Sequence, residues 1–201
     1  MQEEKWLRSA IIASRGLPEI LDIMKNLYPE YDVSEVEKKA KQGFIPNPFY
    51  FETSNIEAEK VLAGLIHKEQ AIFFLSYVEI LSEKYFNEKD EEILKEAEKM
   101  LIVAADALAH AIIVLGGIRK SIDIAKDSAI LLSQLVPVAI ILERRKAAED
   151  ILTLIFTVAE KFENEELKAD IAEAFAKGFE QMNLHTIAEE MRNIIRKSSE
   201  K

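Results

Sequence analysis

Apolar residues recur at spacings of three and four along almost the whole chain, the pattern of helices with one buried face. They fall at Leu7, Ile11 and Ile12, then at Ile20, Leu21, Ile23 and Leu27, with Gly16-Leu17-Pro18 between the sets. This predicts two helices separated by a break, the second closed by Pro29. Ser34 with Glu37 is a capping-box pair opening a short charged helix through Lys41, which Gly43 ends. Pro46 and Pro48 force extended backbone on the stretch from Gly43 to Phe51, so it reads as a loop. A second capping box, Ser54 with Glu57, starts a long helix to about Phe86, with a break expected near His67. The next helix carries Ile93, Leu94, Ala97, Met100 and Leu101 and ends at Gly116-Gly117. Further helices are predicted over about 118–136, stopped by Pro137, and over 138–163, kinked at Glu143-Arg144-Arg145-Lys146. A last pair, 165–181 and 184–197, is joined at Met182-Asn183.

No segment alternates with period two. The fold class is therefore all-α: stacked antiparallel helical hairpins forming a bundle or a short right-handed superhelix. The reading is of one domain over 1–201, in which the N-terminal helices and aromatic loop (1–53) can be set apart from a hairpin stack (54–201).

Composition narrows the function classes. With 201 residues, 49% apolar and 31% charged, the chain has the balance of a protein that folds in water. The absence of cysteine excludes disulfides, thiolate metal sites and a catalytic thiol. A net charge of −10 opposes nucleic-acid binding, which needs Lys and Arg to neutralise phosphates. The abundance of Lys and Glu fits an intracellular protein of a thermophile. The start, Met1-Gln2-Glu3-Glu4-Lys5-Trp6, is acidic where a signal peptide is basic, and the expected location is the cytoplasm. The stretch from Met100 to Ile118 is apolar apart from Asp106 and His110. An Asp near the centre of a spanning helix costs about 2.5–3.5 kcal/mol, so a buried core helix is the preferred reading and no membrane partner is expected.

Sliding the chain on itself gives one internal match, at an offset of 67 residues: Leu108-Ala109 with Ile112 falls on Phe175-Ala176 with Phe179, and Ser121 falls on Ala188. The stretch Leu108-Ala109-x-x-Ile112 through Gly116, Ile118, Ser121, Ala125 and Ser128 resembles a tetratricopeptide-type repeat. Generic stacking of helical hairpins accounts for the same spacing. The resemblance implies a concave groove lined by Asp106, His110, Ile113 and Val114 in one copy and by Glu173, Lys177, Glu180 and Gln181 in the other. The second set is polar and mostly acidic, which suits a basic or amphipathic peptide.

Candidate chemistry is sparse. Asp106 and His110, four apart, share a helix face, either as the pocket of a small-molecule binder or enzyme or as a buried polar pair that fixes register. No catalytic residue is assigned, since nothing in the chain marks a nucleophile or oxyanion donor beside that pair. No metal or other cofactor is expected: the residues three before His67, His110 and His185 are Gly64, Ala107 and Met182, so the Glu-x-x-His ligands of di-iron bundles are missing. Phosphate-cradling glycine loops and hydrolase motifs are missing too. Phe44, Phe49, Tyr50 and Phe51 form an aromatic loop suited to a recognition tip or to a lid over the stack. Arg144-Arg145-Lys146 reads as a solvated helix surface. The function expected is a scaffold or adaptor for a protein or peptide partner, with a homo-oligomer compatible. The alternative is the small-molecule or enzyme reading around Asp106 and His110.

Overall fold

A computed structural model describes residues 16–34 and 56–199, with side chains to 193. It contains seven α-helices among the described residues and no strand there: α1 (Leu17–Leu27), α2 (Ile56–Glu88), α3 (Glu91–Gly116), α4 (Ile122–Ile141), α5 (Arg145–Ala159), α6 (Glu165–Gln181) and α7 (His185–Ser199). A single 3-10 turn, Arg119–Ser121, leads into α4. The expected first helix, the capping boxes at Ser34 and Ser54 and the aromatic loop 43–51 lie outside the described residues, wholly or in their partner positions.

Local chemistry sets the helix starts. The Asp90 carboxylate accepts from the Glu92 N–H at 2.9 Å ahead of α3. The Asn164 side-chain oxygen accepts from the N–H groups of Glu166 and Leu167 at 3.0 and 3.1 Å ahead of α6. Both satisfy donors that a helix N-terminus leaves unpaired.

Two expected interruptions are absent. α2 runs unbroken through His67, with Ala63, Gly64, Leu65 and Ile66 all buried. Pro137 stands inside α4, which continues to Ile141. An interior proline costs about 3 kcal/mol, and burying Leu142 at the helix end returns about 1.5–3 kcal/mol of that. The stop comes instead at Glu143, whose φ is 57°. There the Glu143 N–H bonds the Ile140 carbonyl at 2.9 Å and the Arg144 N–H bonds the Ala139 carbonyl at 2.8 Å, a Schellman turn where a kink in one long helix was expected. The α6–α7 turn is built identically: Asn183 has φ 60°, its N–H bonds the Glu180 carbonyl and the Leu184 N–H bonds the Phe179 carbonyl, both at 2.9 Å.

Packing follows from these stops. α2 and α3 form the most extensive helix pair, α3 also meets α4 and α5, and α4 meets α6. α1 lies antiparallel on the first half of α2: the Tyr28 hydroxyl donates to the Glu57 carboxylate at 2.7 Å at one end, and Gly16 packs against Glu69 at the other. Burial and that carboxylate push the Tyr28 phenol well above its ordinary pKa. α4 and α6 run parallel, because Lys126 meets Asp170 at 3.0 Å, Ile130 and Ser133 meet Gly178, and Gln134 donates to Gln181 at 2.8 Å. The hairpins α4–α5 and α6–α7 are therefore stacked side by side with both turns at one end. One apolar cluster runs through all seven helices, with Tyr28, Leu101, Leu132, Ile151, Phe175 and Phe179 among its fully buried large side chains. By length and composition, α3 and the stretch Arg119–Ile141 could each cross a membrane. In this fold α3 turns most of that apolar surface toward its neighbours.

The α4–α6 spacing depends on Gly178. A Cβ there would sit 2.8 Å from the Ile130 carbonyl oxygen and closer still to the Ser133 hydroxyl, and the backbone contact cannot rotate away. Gly178→Ala should therefore lower unfolding free energy by roughly 1–3 kcal/mol in urea titration, despite alanine's better helix propensity. Gly117, where a Cβ meets nothing closer than 3.5 Å, should tolerate the same change; equal loss at both sites would refute the spacing argument. Glu143→Gly should raise stability by about 0.5–1 kcal/mol, since glycine adopts positive φ without the Cβ penalty.

Candidate functional site

The stacked hairpins leave an open groove of about 500 Å³ where α5 and α7 flank α4. Its floor is Val136 and Ile140 of α4 with Ala148 and Leu152 of α5, and Ile187 of α7 forms the far wall. Glu143, Arg145 and Glu149 stand exposed on its rim. Ile140 is 54% exposed and its neighbour Ile141 63%, so large aliphatic side chains face solvent at the groove's turn end. Scattered apolar residues on a surface need no explanation, but here several converge on one concavity with a charged rim. None of the groove's apolar residues is singled out as a site by the sequence, and Glu143 and Arg145 figure there only within a charged cluster. The signal available was Ile140-Ile141, an apolar pair just past a proline and just before a charged cluster.

The stripe expected to bind a basic peptide meets a cation of its own chain. Glu173, Lys177, Glu180 and Gln181 do share one side of α6, opposite the buried Ile171, Phe175 and Phe179. The Arg192 guanidinium of α7 lies across the two glutamates, with Nε and Nη2 donating to Glu173 at 2.9 and 3.1 Å and Nη1 donating to Glu180 at 2.6 Å. Gln181 accepts from Gln134, and the neighbouring Asp170 pairs with Lys126. Lys177 is left exposed. The negative charge counted along α6 thus already faces cations of the same chain. The bidentate fork on Glu173 is the strong geometry for such a pair.

Asp106 and His110 are both exposed on α3, and neither lines the groove. The buried polar pair is not formed: His110 Nδ1 lies 2.8 Å from the Asp106 backbone oxygen. What His110 meets is His67 of α2, with ring centroids 5.5 Å apart and planes 29° from parallel. Burial and the facing His110 hold the His67 imidazole below its usual pKa, opposed by a hydrogen bond with Gln70. No group of three or more His, Cys, Asp or Glu side chains converges among the described residues.

Arg144 also departs from its expected solvated setting. It reaches from the α4–α5 turn to α3, with Nη2 2.9 Å from Glu91 and Nε 3.3 Å from Glu98. The Nε contact is an ion pair whose geometry is not that of a hydrogen bond. Lys146 pairs with Asp150 at 2.7 Å on the outer face of α5.

No protein-family model, curated protein or solved structure matches this chain.

The Arg192 clamp has a measurable signature. Its hydrogen bond holds the Glu180 carboxyl below the usual carboxylate range. A depressed folded-state pKa contributes stability that is present above the unfolded value, near pH 4.5, and lost as pH falls through the folded one. Carboxyl carbon NMR of Arg192→Leu should show the Glu180 midpoint moving up toward its ordinary value; an unmoved midpoint would show that the clamp does not form in solution.

Proposed function

We propose that this chain is a cytoplasmic helical scaffold that binds a protein partner by seating an amphipathic helix in the groove between α5 and α7. The observation that carries the reading is the convergence of Val136, Ile140, Leu152 and Ile187, from three helices, on one open apolar floor. Such a floor accepts residues at i, i+3 or i+4, and i+7 of a bound helix. The rim carries Glu143 and Glu149 against a single Arg145, so the fitting segment has basic residues beside its apolar face. This keeps the basic, amphipathic partner suggested by the repeat-like pattern but moves its site from the α6 stripe to the groove. The alternative, a small-molecule or enzyme site at Asp106 and His110, rests on two exposed side chains of α3 that lie outside the groove.

Selection of helical peptides from a displayed library against the full chain tests the proposal. Enriched sequences should carry an apolar stripe flanked by Lys or Arg, and Ile140→Asp or Leu152→Asp should weaken their binding at least tenfold, with Glu173→Lys leaving it within about twofold. Enrichment indifferent to Ile140→Asp, or sensitive to Glu173→Lys instead, would overturn the groove assignment.

A further inference from the structure

We propose that His67 and His110 form an open two-imidazole site for a divalent transition ion of the zinc and copper class, bridging α2 to α3. Two of the chain's three histidines meet here, on helices whose sequence positions are 43 residues apart. A zinc–nitrogen bond of about 2.0–2.1 Å puts each ring centroid roughly 3.2 Å from the ion, so two imidazoles at a tetrahedral angle have centroids roughly 5.2 Å apart. The observed separation is 5.5 Å. The rings are stacked with planes 29° from parallel, and because an imidazole lone pair lies in its ring plane, aiming both at one ion requires the side chains to turn out of that stack.

The hydrogen bonding of the rings favours a ligand role. A carbonyl can only accept, so His110 Nδ1 donates its proton to the Asp106 carbonyl at 2.8 Å. That leaves Nε2 with its lone pair, and a backbone carbonyl behind the ring is the support that metal-ligating histidines carry. On the other ring, His67 hydrogen-bonds with Gln70 of its own helix. The exposed Asp106, one turn before His110, adds negative charge near the ion. With no third side-chain ligand converging, water fills the remaining positions. The site is consequently exchangeable, and copper is bound more tightly than nickel or zinc, as for imidazole ligands in general.

The test uses the full chain, freed of metal by chelator, titrated calorimetrically with Zn²⁺ alone and with Cu²⁺ alone at pH 7.5. One ion per chain is expected, with His67→Ala and His110→Ala each weakening the affinity at least tenfold and His185→Ala leaving it unchanged. Sub-stoichiometric Cu²⁺ added to the unaltered chain should broaden the imidazole proton NMR signals of His67 and His110 together before that of His185, a readout independent of whether the variants fold. Absence of uptake at millimolar ion, uptake insensitive to both substitutions, or first broadening at His185 would overturn the site.

Discussion

The close approach of α4 and α6 is the constraint on which the described fold depends. Parallel helices have no short loop to join them, so their contact must be made entirely by side chains. Here it is made by small ones: Ser133 on α4 faces Gly178 on α6, and the Ile130 carbonyl lies within contact of where a Cβ would stand. With the two helices in close contact, their hairpin partners α5 and α7 flank α4 around the groove. The groove is what remains between them. A bulkier residue at position 178 would therefore act first on the hairpin spacing and only through it on the apolar floor.

Much of this architecture is legible in the sequence, and its errors share a physical origin. Helix identity follows from apolar periodicity, which is a local property, and α1, α3 and α6 lie close to where the pattern puts them. Helix ends are harder to read where tertiary burial competes with local signals. Pro137 fails to stop α4 because Ala139 and Leu142 beyond it are buried, and the turn falls on Glu143, in the charged cluster that reads from sequence only as a kink.

The candidate sites were the least legible part. The α6 stripe can be counted from sequence, but not that the α6–α7 turn brings Arg192 across it, nineteen residues beyond Glu173. In the same way, Asp106 and His110 are visible as a pair on one helix, whereas the register of α2 against α3 decides that His110 meets His67. Side-chain chemistry that depends on the relative placement of two helices is not encoded in the spacing along either one. The groove is an extreme case, since its lining comes from three helices and no two of its apolar residues advertise a common purpose.

The identical construction of the two hairpin turns has an electrical consequence. At that end of the stack, the C-termini of α4 and α6 stand beside the N-termini of α5 and α7. Each C-terminus carries the equivalent of roughly half a negative charge and each N-terminus roughly half a positive one. Four ends of alternating sign leave almost no net helix field over the mouth of the groove. This accounts for the tolerance of Arg145 and Lys146 in the first turn of α5, where basic residues are ordinarily disfavoured: the C-terminus of α4 is their immediate neighbour. Under the proposed function, a segment entering the groove is discriminated by its side chains, one at a time, with the backbone electrically silent.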